Sequence, residues 1–118
     1  LLNLGHTFAH ALETTTGYTR FLHGEAVAIG LVLAVALSET HCKLDTALRP
    51  RLARLLHTFG LPTRLPPDVD RNAMLAAMRM DKKHTHAHWR LVLLDSPGRA
   101  RVREFSDEHD IRTVLETA

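Results

Sequence analysis

Apolar and polar positions separate from the first residues of the chain. Placed on a helix at about 100° per residue, Leu4, Phe8, Ala11 and Leu12 fall on one side, at the i, i+4, i+7, i+8 spacing of a buried stripe. Asn3, His6, His10 and Glu13 fall opposite them in a single row, because residues three or four apart are neighbours on a helix surface. The pattern predicts a first helix from the start to about Thr15, ended by Thr16-Gly17, where glycine can take the left-handed cap. Gly17-Tyr18-Thr19-Arg20 is a turn that can fold the chain back. A second helix then runs from His23 or Gly24 to about His41, with Glu25 in its first turn complementing the helix dipole. Its stretch 26–37 is apolar on every side and needs cover all round. That run falls short of the roughly 20 residues that span a bilayer, so it reads as a buried helix and not a membrane anchor.

Residues 45–49 form a turn into a third helix, because Pro50 suits a first-turn position far better than an interior one. Leu52, Leu55, Leu56 and Phe59 supply its buried stripe, and Gly60 closes it. The proline-bearing stretch 61–67 is a loop. Asp68 or Asp70 caps a fourth helix, with Met74, Leu75 and Met78 inward and Met80 near its end. The period changes to two at His84-Thr85-His86-Ala87-His88, which leads into Trp89 to Leu94, a Ser96-Pro97-Gly98 turn, and Arg101 to Phe105. That pair reads as a β-hairpin. Ser106 caps a last helix to about Thr117, with Ile111 and Leu115 inward. The expected fold is mainly α, a single helical domain over 1–118 with a small β-hairpin near residues 89–105.

Composition narrows the function. Apolar residues make up 45% and charged residues 24% of 118, as in a globular domain with a modest core. The balance of 15 basic to 13 acidic side chains carries no basic stripe, so no nucleic-acid partner is expected. Cys42 is the only cysteine. With no internal disulfide to form and no signal-peptide pattern, a reducing, cytoplasmic setting is expected. The chain starts without Met, and Leu1-Leu2 enters helical periodicity uncapped. The expectation is therefore the C-terminal part of something larger.

The candidate chemistry lies in the opening helix and the residues just after it. His6, His10, His23, Asn3, Glu13 and Glu25 can meet in one small space, which is the shape of a metal site. An i, i+4 histidine pair is by itself more often a half-exposed polar face. His23 followed by Gly24-Glu25 strengthens the metal reading, since Zn²⁺ accepts imidazole nitrogen and a nearby carboxylate can orient a ligating ring. The dipole at the start of the second helix also favours a neutral ring at His23. Two or three histidines still leave a tetrahedral site short of a ligand. Glu13 and Glu25 have plainer readings as a polar-face residue and a dipole partner. Lys82 and Lys83 sit at a helix C-terminus, where cations are favoured anyway. His84, His86 and His88 share one strand face, with no other ligand chemistry near them in sequence.

Three blocks then carry a resemblance. Leu2-Asn3-Leu4-Gly5-His6-Thr7-Phe8-Ala9-His10-Ala11-Leu12-Glu13, Leu22-His23-Gly24-Glu25-Ala26-Val27-Ala28 and Asp81-Lys82-Lys83 closely resemble the C-terminal domain of the 3-dehydroquinate synthase family, in order and spacing, over roughly residues 1–95. The resemblance implies the dehydroquinate synthase-like fold and a phosphate-eliminating lyase of the shikimate pathway. Its reaction converts 3-deoxy-D-arabino-heptulosonate 7-phosphate to 3-dehydroquinate, using NAD⁺ and Zn²⁺ (or Co²⁺). It implies His6 and His23 as metal ligands that also face the substrate, with a glutamate ligand upstream of this chain. By the same resemblance His10 is the proton-transfer histidine, Leu2 and Asn3 line the substrate pocket, and one of Lys82 and Lys83 holds an anionic group of the sugar phosphate. NAD belongs to an N-terminal domain absent from this chain, and a homodimer is implied for the complete enzyme.

Two departures stand out. Ala9 replaces the glycine usual between the two histidines, and His-Thr-His-Ala-His replaces a region usually more basic or glycine-bearing. Neither removes a chemical group. The alternatives are a related sugar-phosphate cyclase acting on another substrate, or a non-catalytic helical metal-binding module.

Overall fold

The computed structural model describes residues 4–83, 89–105 and 107–118, with Asp81, Lys82 and Lys83 described by backbone alone. The elements follow in the order α1 (His6–Thr15), α2 (His23–His41), α3 (Leu48–Thr58), α4 (Arg71–Lys83), β1 (Trp89–Ser96), β2 (Arg99–Phe105) and α5 (His109–Thr117). The strands form a two-stranded antiparallel hairpin that pairs Trp89 with Phe105 and Val92 with Val102, with an irregularity between Leu94 and Ser96. This is the mainly helical fold with one hairpin that the periodicities predict.

Everything is assembled around α2, which packs against α1, α3, α5 and β1. The helix is long and apolar enough to pass for a membrane span by length and composition. Ala26, Ala28, Ile29, Leu33, Ala34, Val35 and Leu37 are nevertheless buried inside the fold, while Val27, Leu31, Val32 and Ala36 stay half-buried, so the apolar run is covered on most of its sides and not on all. Its one buried polar side chain, Ser38, is fully satisfied. The Ser38 hydroxyl donates to the Ala34 carbonyl at 2.7 Å and accepts the Leu94 amide at 2.9 Å, which ties β1 to α2. The main core brings Phe8 and Leu12 of α1 together with Met74 and Met78 of α4, Trp89 and Leu93 of β1, and Ile111 and Leu115 of α5.

The start of α1 and the middle of α2 meet backbone to backbone. Gly5 has φ +77°, and its carbonyl accepts the Ala9 amide at 2.9 Å. A Cβ on Gly5 would lie 2.7 Å from the Gly30 carbonyl carbon and the Leu31 nitrogen, and one on Gly30 would collide with the Gly5 carbonyl oxygen. Only two glycines allow backbones to approach this closely. Ala9 lies at the same crossing and is buried, so its methyl group packs into the core.

The third helix departs from the expected stripe. Leu56 is buried and Leu52 half-buried, but Leu55 and Phe59 are 56% and 72% exposed. The inward row instead follows 48, 52 and 56. Leu48 and Leu52 rest on Val35, Leu44 and Leu94, and the i±4 ridge that meets α2 leaves positions 55 and 59 on the outer side. Asp70 caps α4, its Oδ1 accepting the Ala73 amide at 3.0 Å. Asp68 is used differently, in a two-pronged pair with Arg20 at 2.8 Å for each bond. Arg71 donates to the carbonyls of Pro66 at 2.7 Å, Val69 at 2.8 Å and Leu115 at 3.3 Å, which fixes the 65–69 loop to the end of α5. The expected cap Ser106 lies outside the described residues. Glu108 stands at the N-cap position of α5, with the Asp107 carboxylate accepting the His109 amide at 2.9 Å.

Glu108 also locks α5 to α4. Its carboxylate accepts from Arg79 through two bonds, one of them at 3.0 Å, and from Arg112 at 3.1 Å. The Arg79 hydrogen bonds, helped by the charges of Arg79 and Arg112, hold this carboxyl below its ordinary 4.5 against the opposing effect of burial. A carboxyl depressed in the folded state stabilises it fully above its unfolded pKa, and that contribution is lost as pH falls through the lower folded value. Acid melting of the chain should therefore lose Tm below about pH 4.5, and Glu108→Gln should flatten that loss in scans between pH 6 and pH 3. A second expectation concerns the glycine crossing. Gly30→Ala should destabilise by roughly 1–3 kcal/mol, from overpacking against backbone that cannot retreat; a denaturation midpoint unchanged by the substitution would contradict this packing.

Candidate active site

The local chain path explains why two histidines far apart in sequence meet. α1 ends in a Schellman cap, with the Gly17 amide donating to the Thr14 carbonyl at 3.2 Å and the Tyr18 amide to the Glu13 carbonyl at 2.9 Å. Gly17 and Tyr18 are both left-handed, at φ 70° and 62°. Two such residues in succession reverse the chain. α2 then opens at His23, where the Leu22 amide donates to the Glu25 carboxylate at 2.8 Å.

The reversal sets the His6 and His23 rings with centroids 6.2 Å apart and planes tilted by 50°. His23 Nδ1 lies 3.2 Å from Oε2 of Glu13. An ionised carboxylate only accepts, so Nδ1 must donate, and in the neutral ring this leaves the Nε2 lone pair free. Glu13 is 14% exposed and His23 70% exposed, so the carboxylate forms the base of the site and the ring faces outward. That is the arrangement of a ligating imidazole oriented by an acceptor behind it. Two imidazoles this close can share one ion, and their donor chemistry suits Zn²⁺. Among the described residues no group of three or more histidine, cysteine or acidic side chains is placed to hold a metal, so the pair supplies half of a tetrahedral set.

His10, one turn along α1, is engaged differently. Its Nε2 lies 3.1 Å from the Tyr18 hydroxyl, which lies 3.2 Å from the Thr14 hydroxyl. The site thus has two parts, a histidine pair backed by a carboxylate and a single histidine backed by a phenol.

The sequence placed His6, His10, Glu13 and His23 together, and the structure brings all four to one end of the α1–α2 hairpin. The ring-orienting carboxylate, however, is Glu13 and not Glu25, whose side chain is taken up by the Leu22 amide. Tyr18 was not anticipated at all. It belongs to no periodic stripe, and its position follows from the left-handed turn alone. Leu2, Asn3 and the histidines at 84, 86 and 88 lie outside the described residues. Lys82 and Lys83 close α4, which packs against α1. Cys42 is half-buried, and burial pushes its thiol up despite the opposing pull of Arg103, so it is a poor nucleophile and a poor ligand.

With this geometry in place, comparison with known proteins is direct. The family described as 3-dehydroquinate synthase C-terminal matches residues 1–84. The chain is 45% identical over 116 residues to a 3-dehydroquinate synthase of Coxiella burnetii and 46% identical over 120 residues to one of Xanthomonas oryzae pv. oryzae. Each match takes in 98% of this chain and 32% of the relative, so the chain spans about a third of the length of the curated relatives it matches. Among solved structures it is similar to 2-epi-5-epi-valiolone synthase from Streptomyces hygroscopicus subsp. jinggangensis, which has NAD⁺ and Zn²⁺ bound. There the identity is 27% and the TM-score 0.82, over 98% of this chain and 32% of that one. It shares its fold with a 2-deoxy-scyllo-inosose synthase complexed with carbaglucose-6-phosphate, NAD⁺ and Co²⁺, at 20% identity and TM-score 0.82, over 98% and 34% of the two chains.

The Glu13–His23 contact makes its own prediction. Glu13→Gln keeps the shape but weakens the orienting bond, and should lower zinc affinity by about 10–100-fold with little change in Tm. Competition with a chromophoric chelator would measure it, and equal affinity in the two proteins would remove Glu13 from the site.

Proposed function

The chain belongs to the 3-dehydroquinate synthase C-terminal family, and from that premise we propose that residues 1–118 form the metal- and substrate-binding helical part of a 3-dehydroquinate synthase. The reaction is the conversion of 3-deoxy-D-arabino-heptulosonate 7-phosphate to 3-dehydroquinate and phosphate, in the cytoplasm and on the route to aromatic amino acids. The observation that carries the proposal is the His6–His23 pair, 6.2 Å apart with Glu13 behind His23, in a chain 45% identical to synthases of that name.

His6 and His23 would hold the metal, and a ligand from the upstream part of the enzyme would complete the set. When bound, Zn²⁺ or Co²⁺ supplies a Lewis acid and NAD⁺ a hydride acceptor; no residue of this chain is assigned to NAD⁺, which falls to the upstream domain. Glu13 fixes the His23 tautomer so that Nε2 faces outward. His10 moves a proton at the substrate, the task an imidazole performs best near neutral pH. Leu2 and Asn3 line the pocket. The cationic side chain of Lys82 or Lys83 neutralises an anionic group of the sugar phosphate; adjacent helical side chains diverge by about 100°, so one of the two serves. The complete enzyme is a homodimer in this reading. A related sugar-phosphate cyclase is the second reading, favoured by the 27% identity to a 2-epi-5-epi-valiolone synthase.

The test is a chimera in which these residues replace the matching third of the Xanthomonas relative. It should form 3-dehydroquinate, and His10→Ala should lower kcat by about 10²–10⁴-fold. Release of phosphate with a different cyclic product would favour the second reading. The isolated chain should be inactive and bind zinc weakly, with binding abolished by His6→Ala or His23→Ala. Tight binding that survives both substitutions would move the metal elsewhere and leave a non-catalytic module.

A further inference from the structure

Tyr18 is an unusual residue in an unusual place. Its φ of 62° lies in the left-handed region, where glycine and asparagine are common and a bulky side chain costs energy. Its neighbour Gly17 already supplies the left-handed residue that a Schellman cap needs, so the cap alone does not call for an aromatic at 18. The ring is 58% exposed and buries little. The phenol, by contrast, is specifically engaged, standing 3.1 Å from His10 Nε2 and 3.2 Å from Thr14 Oγ1. The ring centroids of His10 and Tyr18 are 6.4 Å apart with planes tilted by 59°, so the hydroxyl contact and not stacking relates them.

A phenol carries one proton and can accept another bond. The row of Thr14, Tyr18 and His10 therefore has two self-consistent arrangements. In one, Tyr18 donates to Nε2 and accepts from Thr14. In the other, Nε2–H donates to Tyr18, which donates to Thr14. Passing from the second to the first moves the Nε2 proton off the ring. Thr14 and Tyr18 are both exposed, so the row ends in water.

We infer that, once substrate and the upstream part of the enzyme cover the His10 ring, which is exposed in this chain, Tyr18 is the positioning residue through which His10 exchanges protons with solvent, by a relay running from His10 Nε2 to the Tyr18 hydroxyl to the Thr14 hydroxyl. The inference rests on the proton-transfer role proposed for His10. When Nδ1 of His10 takes a proton from substrate, the Nε2 proton passes to the Tyr18 oxygen, the Tyr18 proton passes to Thr14 Oγ1, and the Thr14 proton leaves to water. The substrate's bond to hydrogen, one N–H and two O–H bonds break, and one N–H and three O–H bonds form, the last on water, with no net change on Tyr18 or Thr14. The ring is left neutral with its tautomer reversed, and the reverse sequence restores it. The left-handed turn is what sets the phenol at the end of this row.

Tyr18→Phe tests the relay, because it keeps the ring and the turn and removes only the hydroxyl. In the active chimera kcat should fall about 10-fold, less than the roughly 10²–10⁴-fold that a group transferring the proton directly supplies, with KM and zinc affinity held. Thr14→Val should cost less, since the phenol reaches water directly. In the 118-residue chain with labelled histidines, Tyr18→Phe should move the ring ¹⁵N resonance of His10 Nε2 and leave His6 and His23 in place. Unchanged kcat in Tyr18→Phe beside a crippled His10→Ala would overturn the relay and leave the reading of the site intact. A harmless His10→Ala would overturn both. A fall in kcat that comes with weaker zinc binding or a lower Tm would mark a structural effect, and the relay would be wrong.

Discussion

The contact on which this structure depends is one of backbone against backbone, where Gly5 at the mouth of α1 meets Gly30 in the middle of α2 with no side chain between them. A helix pair is normally held 8–10 Å apart by the side chains at its crossing. Removing two Cβ atoms lets α1 settle onto α2, and with that depth fixed Phe8 and Leu12 reach the Met74 and Met78 layer of α4. His6 directly follows Gly5, so the same contact that seats the helix also sets the height of the first imidazole. Core packing and site geometry share a single point of reference. Neither can be altered there without the other.

This explains which features were readable in the sequence. The two faces of α1 were legible because period and chemistry agree, with Leu4, Phe8 and Leu12 on one side and His6, His10 and Glu13 on the other. The apolar run of α2 was legible for the same reason, and the hairpin was legible from the Ser96-Pro97-Gly98 turn between two strand-forming runs. α3 was misread because Leu52, Leu55, Leu56 and Phe59 make as good a stripe on paper as 48, 52 and 56; the row that buries is decided by the ridge α2 presents, which is a tertiary fact. Gly5 and Gly30 were individually visible, yet nothing local says that they meet. Glu13 and Tyr18 acquire their roles from the path of the turn, which depends on two successive left-handed residues and on no periodicity.

The site has an asymmetry of burial. Glu13, which orients His23, is nearly buried and His6 is half-buried, whereas His23 and His10 stand in the open. Buried polar groups with satisfied bonds are rigid because leaving them unpaired costs the full desolvation penalty. Exposed rings hung on such groups are held in direction without being covered. A surface of this kind offers ligands to something placed against it, in keeping with a chain that spans a third of the relatives it matches.

The reversal between α1 and α2 carries one more consequence. His6, His10, Glu13, Tyr18 and His23 all belong to a single helical hairpin, so the geometry of the ligand pair is set by how many residues the turn contains. A residue added to or taken from 16–22 would have to be absorbed between the Schellman cap of α1 and the Leu22–Glu25 bond that opens α2, and would shift His23 relative to Glu13 and His6. Substitutions in that turn leave the register alone, whereas insertions and deletions do not. The length of this short segment is therefore constrained as tightly as the histidines themselves.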